Sequence, residues 1–473
     1  MRKVKFAIIG AGTAGLNALG YIRRQTDDFV MIHGGPYGTT CARVGCMPSK
    51  ALIHAANHYE QRLHLETCGI SGGEKLEVDG AEVMAFVRQL RDRFSGGVHA
   101  NTTATLKEGQ LIEGYAEFVG PNQLKVGDEV IEAERIIIGT GSTPVVPGPW
   151  KALGDKLQTS DEIFELESLP KRLAVIGLGV IGLELGQAFA RLGVEVTAVE
   201  MLNTMAGLSS PELIAEAEKL MSQEMTVYLG QAADLSLNPE NEDEVLLKVG
   251  DEEITVDLVL GSLGRRPNVA GLNLPAAGIQ LDERGMPSFD IETMQIEDKP
   301  IFIAGDVNAF RPILHEAGDE GRAAVLNAFA YPEVKAYPRK AMLGVAFSEP
   351  QVGLIGMSYA QAEKQGAVSV TFMLERSNGR AIVMGQDKGG LSLYADPDTH
   401  ELLGAELLMA DAEHIGHMLA WAIQDKQTVF DLLKKPFYHP VLEEALQDAL
   451  RQLARKLQPE RSNWVEAELL LPA

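Results

Sequence analysis

The sequence predicts an α/β protein with two Rossmann-like dinucleotide-binding domains and a C-terminal α+β domain. Two glycine fingerprints carry most of this reading: Gly10-Ala-Gly12-Thr-Ala-Gly15 and Gly177-Leu-Gly179-Val-Ile-Gly182. Each follows a short apolar run and opens a helical pattern, the context in which glycines let a backbone approach a pyrophosphate at a helix N-terminus. The third observation is a change of texture near Lys340, after which short strands alternate with amphipathic helices.

Taken in order, Lys5–Ile9 reads as a strand, Ala14–Arg24 as a helix and Val30–His33 as the returning strand. Met47–Leu65 and Glu82–Phe94 read as helices. Short strands follow at Gln110–Phe118, Gln123–Val126 and Arg135–Ile138, the last running into Gly139, Gly141 and Pro144 as a domain exit. The second unit has a strand at Leu173–Ile176, a helix to about Leu192 and a strand at Glu195–Glu200, and it closes at Gly264-Arg265-Arg266-Pro267. Ile301–Ala304 is a buried-type strand delivering Gly305-Asp306. The last part reads as strands Gly344–Phe347, Val368–Met373, Ala381–Met384 and Gly390–Tyr394 with helices Ala410–Ile423, Thr428–Leu433 and Leu442–Leu457.

A length of 473 residues at 45% apolar composition supports several cores. Lys and Arg number 42 against 66 Asp and Glu, and the net charge of −24 disfavours nucleic acid and anionic membrane as partners. The longest apolar run, Leu173–Leu183, is punctuated by glycines and falls short of the ~20 residues a membrane span needs. The basic start at Met1–Lys5 reads as strand entry, since cleavage of a signal peptide there would destroy the first fingerprint. These features suit a cytoplasmic protein.

Only three cysteines are present, which excludes a disulfide-stapled secreted scaffold. Two of them, Cys41 and Cys46, stand five apart in Cys41-Ala-Arg-Val-Gly-Cys46-Met-Pro-Ser-Lys50. No second pair completes a four-ligand zinc site, so redox use is favoured and no metal is expected. On an ideal helix, positions i and i+5 have Cα atoms roughly 8–9 Å apart. A disulfide needs about 4.4–6.8 Å. The pair therefore closes only across a distorted or late-starting helix, for which Gly45 and Pro48 are suited. A helix N-terminus there should lower the pKa of one thiol.

The strand after each fingerprint should end in an acid for a ribose hydroxyl. Glu200 satisfies this 23 positions after Gly177 (200 − 177), and no basic residue occurs from Met201 to Leu208, so NAD is preferred over NADP. The corresponding position after Gly10 (33 − 10) is His33, a hydrogen-bonding residue without the carboxylate's charge.

With these motifs in order, the chain resembles the FAD-dependent pyridine nucleotide–disulfide oxidoreductases, and within them the dihydrolipoamide dehydrogenases. Further matching segments are Gly114-Tyr-Ala116-Glu-Phe118, Ile138–Pro144, Glu184 in the second fingerprint helix, and Gly264–Pro267. Ile303-Ala-Gly305-Asp306, Leu314-His315, Glu320-Gly321 and Phe437-Tyr-His439-Pro440-Val-Leu-Glu443-Glu444 complete the pattern. The resemblance implies an FAD domain from 1–145 and 271–338, an NAD domain at 146–270, a dimerisation domain at 339–458 and a tail at 459–473. FAD would be held by Gly10, Gly12, Gly15, His33, Lys50, Ala116, Gly141, Asp306 and Leu314. NAD would be held by Gly177, Gly179, Gly182, Glu200 and Gly264.

The same resemblance makes Cys41 the substrate-side thiol and Cys46 the flavin-side thiol. Lys50 and Glu184 would pair near the flavin, and His439 with Glu444 would form an acid–base dyad serving the partner subunit of a homodimer. The implied reaction is dihydrolipoamide + NAD⁺ to lipoamide + NADH, with a lipoyl-carrying protein as a further partner. Departures from the family pattern are His33, Arg43 where Asn is usual, and Phe437 where His is frequent. Alternatives are an NADH-dependent reductase of another disulfide and a non-catalytic dimeric dinucleotide-binding protein. Glutathione reduction is disfavoured by the absence of NADP-type arginines directly after Glu200, from Met201 to Leu208, and mercuric reduction by the absence of cysteine after Cys68.

Overall fold

The computed structural model describes residues 1–375 and 377–458, so the tail at 459–473 lies outside the described residues. In chain order the first elements are β1 (Arg2–Ile9), α1 (Thr13–Gln25), β2 (Phe29–His33), α2 (Thr40–Arg43), α3 (Cys46–Glu60) and α4 (Gly80–Asn101). Five strands follow: β3 (Leu111–Glu113), β4 (Glu117–Gly120), β5 (Gln123–Val126), β6 (Glu129–Ile138) and β7 (Ser142–Pro144). Next come β8 (Leu157–Gln158), β9 (Arg172–Ile176), α5 (Val180–Arg191), β10 (Glu195–Glu200), α6 (Pro211–Met221) and β11 (Thr226–Leu229). They lead to β12 (Ala233–Asn238), β13 (Asn241–Val249), β14 (Glu252–Val256), β15 (Leu258–Gly261), β16 (Arg265–Pro267), β17 (Ile301–Ile303) and α7 (Leu314–Ala330). The last elements are β18 (Leu343–Ala346), β19 (Gln351–Gly356), α8 (Tyr359–Lys364), β20 (Val368–Met373), α9 (Gly379–Met384), β21 (Gly390–Ala395), β22 (Leu402–Met409), α10 (Ala412–Gln424), α11 (Val429–Leu433) and α12 (Glu444–Leu457).

These elements form two compact units. The first comprises Met1–Ala51, Ala85–Val145 and Gly264–Arg339. Its sheet runs β3-β2-β1-β6-β5-β4, with β17 also on β6. β1 is parallel to both neighbours, with Ile9 in register with Ile32 and Ile138. Alternate residues of β1 feed two cores: Phe6 and Ile8 join Leu19 and Ile22 of α1 and Ala324 of α7, while Ala7 and Ile9 join Phe118, Leu124 and Ile303. A strand buried on both faces is the reason β1 reads as a continuous apolar run. The first glycine loop leaves its C-terminal end, where open α/β sheets place their ligands. β7 and β16 form a small antiparallel pair in this unit, which places Gly264–Pro267 beside Ser142–Pro144.

The second unit comprises Leu52–Met84, Val146–Leu263 and the chain from Lys340 onward. It holds a parallel sheet β11-β10-β9-β15-β8, an antiparallel sheet β12-β13-β14 and a five-stranded antiparallel sheet β18-β19-β22-β21-β20. Leu407, Leu393 and Leu391 of the last sheet pack with Ile415 and Leu419 of α10 and Leu446, Leu450 and Leu453 of α12. No helix among the described residues is long and apolar enough to cross a membrane.

Two expectations on secondary structure are corrected. Ala381–Met384 is the helix α9, not a strand. Asn378 accepts the Ala381 N–H at 2.9 Å and Gly385 closes the helix at φ +67°, so capping outweighs the strand preference of Ile382-Val383. The expected strand Gln110–Phe118 is broken at Gly114, whose φ of +145° separates β3, which pairs with β2, from β4, which pairs with β5.

Candidate active site

Thr39 caps α2 by accepting the Ala42 N–H at 3.2 Å. The helix stops at Arg43, and Val44 and Gly45 separate it from α3, which starts at Cys46. This is the interruption an i, i+5 thiol pair requires. A Cβ on Gly45 would stand 3.1 Å from the Thr40 oxygen and 3.3 Å from the Cys41 Cα, so glycine lets the chain fold back tightly there. Cys41 and Cys46 are both free thiols, and the Cys41 side chain is hydrogen-bonded to that of Cys46. That contact, reinforced by burial, pushes the Cys41 thiol up, while the charge of Lys50 pulls it slightly down. The thiol at the helix start is Cys46, at the end of the helix dipole that favours an anion. Ser49 Oγ donates to the Cys46 carbonyl at 3.1 Å, and Lys50 Nζ lies 3.4 Å from Ser49 Oγ.

In the first glycine loop, a Cβ on Gly10 would stand 2.3 Å from the Gly139 oxygen, and one on Gly15 would stand 1.9 Å from the Gly10 oxygen. Gly12 instead meets nothing closer than 3.8 Å, and it caps α1 without any side-chain hydrogen bond. Open first-turn N–H groups beside a bare Cα fit a dinucleotide pyrophosphate. His33 Nδ1 accepts the Ala11 N–H at 3.3 Å, which puts the ring proton on Nε2, and Nε2–H donates to the Pro36 carbonyl at 3.1 Å. The Tyr37 ring lies 5.2 Å from that of His33 and stacks on His99 at 4.4 Å. Tyr37 Oη donates to Glu113 at 2.8 Å, and burial followed by this carboxylate pushes its phenol up to about 12.

Other predicted cofactor residues of this unit cluster by hydrogen bonding. Ser142 Oγ donates to Asp306 at 2.9 Å, and Arg265, next to Gly264, donates from Nε to Ser142 Oγ at 2.9 Å. Glu320 supports the Asp306 turn by accepting the Gly305 N–H and the Asn308 amide, both at 2.6 Å. Burial raises the Glu320 carboxyl against the pull of Arg339, 2.5 Å away. Gly141 and Gly264 adopt φ of +68° and +87°, Ala116 is buried, and Leu314 opens α7 with its side chain partly exposed.

The second loop repeats the first. A Cβ on Gly177 would stand 2.6 Å from the Ser262 oxygen and one on Gly182 would stand 1.9 Å from the Gly177 oxygen, while Gly179 has nothing within 4 Å. Glu200 accepts the Leu178 N–H at 2.7 Å through one oxygen and the Leu202 N–H at 2.9 Å through the other. Glu184 is buried on α5 and accepts the Phe347 N–H at 2.8 Å. Lys50 belongs to the first unit and Glu184 to the second.

His439 Nδ1 stands 2.9 Å from Glu444 at the start of α12. A carboxylate only accepts, so Nδ1 carries the proton and the exposed Nε2 is left basic. Glu444 also accepts the Val441 N–H at 3.2 Å, and the imidazole followed by this amide holds its carboxyl below the usual range. A cavity of about 270 Å³ beside the dyad is lined by Phe437, Tyr438 and Leu446. A larger one of about 470 Å³, lined by Asn57, His64, Cys68, Arg191 and Glu349, contains none of the predicted site residues. Sequence reading misses Tyr37, His99 and Glu113 around His33, and Phe347 on Glu184. Tyr37 lies four positions from His33, but the other contacts span from 62 to 163 positions, with no local motif to announce them.

Comparisons with known proteins bear on the family and the fold. Residues 4–328 match the family model described as pyridine nucleotide-disulphide oxidoreductase, and residues 342–450 match its dimerisation domain. The chain is 32% identical to dihydrolipoyl dehydrogenase of Halobacterium salinarum over 460 residues, covering 94% of both chains. It is 30% identical to the Bacillus subtilis enzyme of the same name, covering 93% of this chain and 94% of that one. Among solved structures, the Cu(II) complex of the HOCl-induced flavoprotein disulfide reductase RclA from Escherichia coli matches with a TM-score of 0.82 at 25% identity, covering 96% of this chain and all of that one.

Proposed function

We propose, on the premise that this chain belongs to the pyridine nucleotide-disulphide oxidoreductase family, that it oxidises dihydrolipoamide with NAD⁺ through Cys41 and Cys46. The family uses FAD and NAD(H), and the matched dimerisation domain supports a homodimer. The observation that carries the reading is the His439–Glu444 pair at 2.9 Å, because a dithiol donor must lose two protons as it closes its disulfide.

In this reading one substrate thiol gives its proton to His439 Nε2 and attacks Cys41 of the Cys41–Cys46 disulfide. The mixed disulfide forms at Cys41 and Cys46 leaves as thiolate at the start of α3, the end of a helix that favours an anion. The second substrate thiol then displaces Cys41, and its proton passes to the Cys41 sulfur. Lipoamide departs and two electrons remain on the cysteine pair. FAD, when bound, supplies the two-electron relay from that pair to NAD⁺. Glu444 orients the imidazole and stabilises its protonated form, while Glu184 and Lys50 set the charge beside the relay. Gly10, Gly12, Gly15 and Asp306 hold FAD, and Gly177, Gly179, Gly182 and Glu200 hold NAD. The dyad of one protomer serves the thiols of its partner, and the lipoyl group arrives on a separate carrier protein. A net charge of −24 supports a cytoplasmic setting.

A second reading, NADH-dependent reduction of another disulfide, is favoured by the similarity to RclA and by Phe437 beside the dyad. The test is NADH formation from NAD⁺ and dihydrolipoamide with the wild type and His439→Ala. The variant should lose on the order of a hundredfold or more in turnover while NADH still bleaches its yellow colour. Full turnover in the variant would refute the dyad's role.

A further inference from the structure

We infer that His33 performs only half of the task of the acid it replaces: it positions the first glycine loop without gripping the FAD ribose, and its protonation loosens FAD. This rests on the reading of the first loop as the FAD site. Glu200 shows what a carboxylate does at the matching place. Its two oxygens accept one N–H each, from Leu178 and Leu202. A carboxylate has about four acceptor sites, so two remain for ribose hydroxyls. His33 makes the matching loop contact, to the Ala11 N–H, and commits its other nitrogen to Pro36. An imidazole has only two ring nitrogens, so none remains for a ribose.

The loop contact also needs a neutral ring. Protonation would place an N–H on Nδ1, facing the Ala11 N–H, and two donors cannot bond. The groups around His33 are few. Tyr37 follows on the next loop, His99 of α4 stacks on Tyr37, and Glu113 of β3 is the register partner of His33. Glu113 carries the negative charge of this group and accepts from Tyr37, while the bond from Ala11 requires an acceptor at Nδ1.

The test measures FAD binding to flavin-depleted protein by ultrafiltration between pH 5.5 and 8, without turnover. The wild-type dissociation constant should rise as the pH falls across this range, by up to about tenfold per pH unit. His33→Gln keeps an acceptor that does not titrate, so its slope should vanish, while His99→Gln should keep the slope. An FAD analogue lacking the adenosine 2′-hydroxyl should bind wild type within about twofold of FAD, whereas His33→Glu should prefer FAD by roughly tenfold. A slope that survives in His33→Gln, or wild-type discrimination against the analogue equal to that of His33→Glu, would overturn the inference. Failure with dihydrolipoamide would leave these binding results untouched.

Discussion

In the first dinucleotide-binding unit the strand-end residue is His33, and in the second it is Glu200, each 23 positions after its leading glycine (33 − 10 and 200 − 177). Both accept the N–H of the loop's second residue, Ala11 at 3.3 Å and Leu178 at 2.7 Å. Both loops close over glycines whose missing Cβ would collide with a carbonyl at 1.9 Å. The difference lies in what each residue has left after that contact. Holding the loop and binding the ribose are separable tasks, and a carboxylate has the acceptors for both while an imidazole has them for one.

Filling the loops tests the comparison with the largest expected effect. Gly15→Ala should purify colourless, with FAD affinity down on the order of a hundredfold, because its Cβ meets the Gly10 oxygen at 1.9 Å. Gly182→Ala should stay yellow but no longer be bleached by NADH. A yellow Gly15→Ala protein would break the assignment of the first loop.

Glu200 should make NADPH a poorer partner than NADH by at least about tenfold, through repulsion of a 2′-phosphate. Steady-state rates with both nucleotides check this, and Glu200→Gln should narrow the gap. Equal rates in wild type would dissolve the contrast with His33.

Glu444 offers a pH control outside both loops. Its folded pKa is depressed, so its contribution is present above the unfolded value of 4.5 and lost only as pH falls through the lower folded value. Between pH 5.5 and 8 it stays charged. Glu444→Gln should therefore shift the acid limb of the turnover profile to lower pH, since the imidazolium loses its counter-charge. An unchanged limb would mean the pair does not act together. The smallest effect belongs to Gly45→Ala, where a contact at 3.1 Å asks neighbours to give by little and should cost about 1 kcal/mol in thermal unfolding.

Much of this architecture is legible in the sequence where a local rule has one outcome. The glycine loops and the break between Cys41 and Cys46 follow from short-range sterics and turn chemistry, whereas the pairing of His439 with Glu444 is read only through the family resemblance. Strands β12 to β14 escape although Leu235 and Leu237, and Ile254 and Val256, alternate with polar residues, because the runs are short and their pairing, such as Val245 with Val256, is set between strands. α9 is misread because Ile382 and Val383 look like a strand while staying exposed, so capping by Asn378 and Gly385 decides the outcome. At His33 the sequence marks the departure but not its consequence, which depends on where both ring nitrogens bond.

The chemistry is tested most directly by the initial rate of NAD⁺ reduction with dihydrolipoamide, measured against other dithiols under one set of conditions. Dihydrolipoamide should be the fastest donor, and Cys41→Ser and Cys46→Ser should each abolish NADH formation. No NADH from dihydrolipoamide, together with NADH-driven reduction of a different disulfide, would contradict the proposed function.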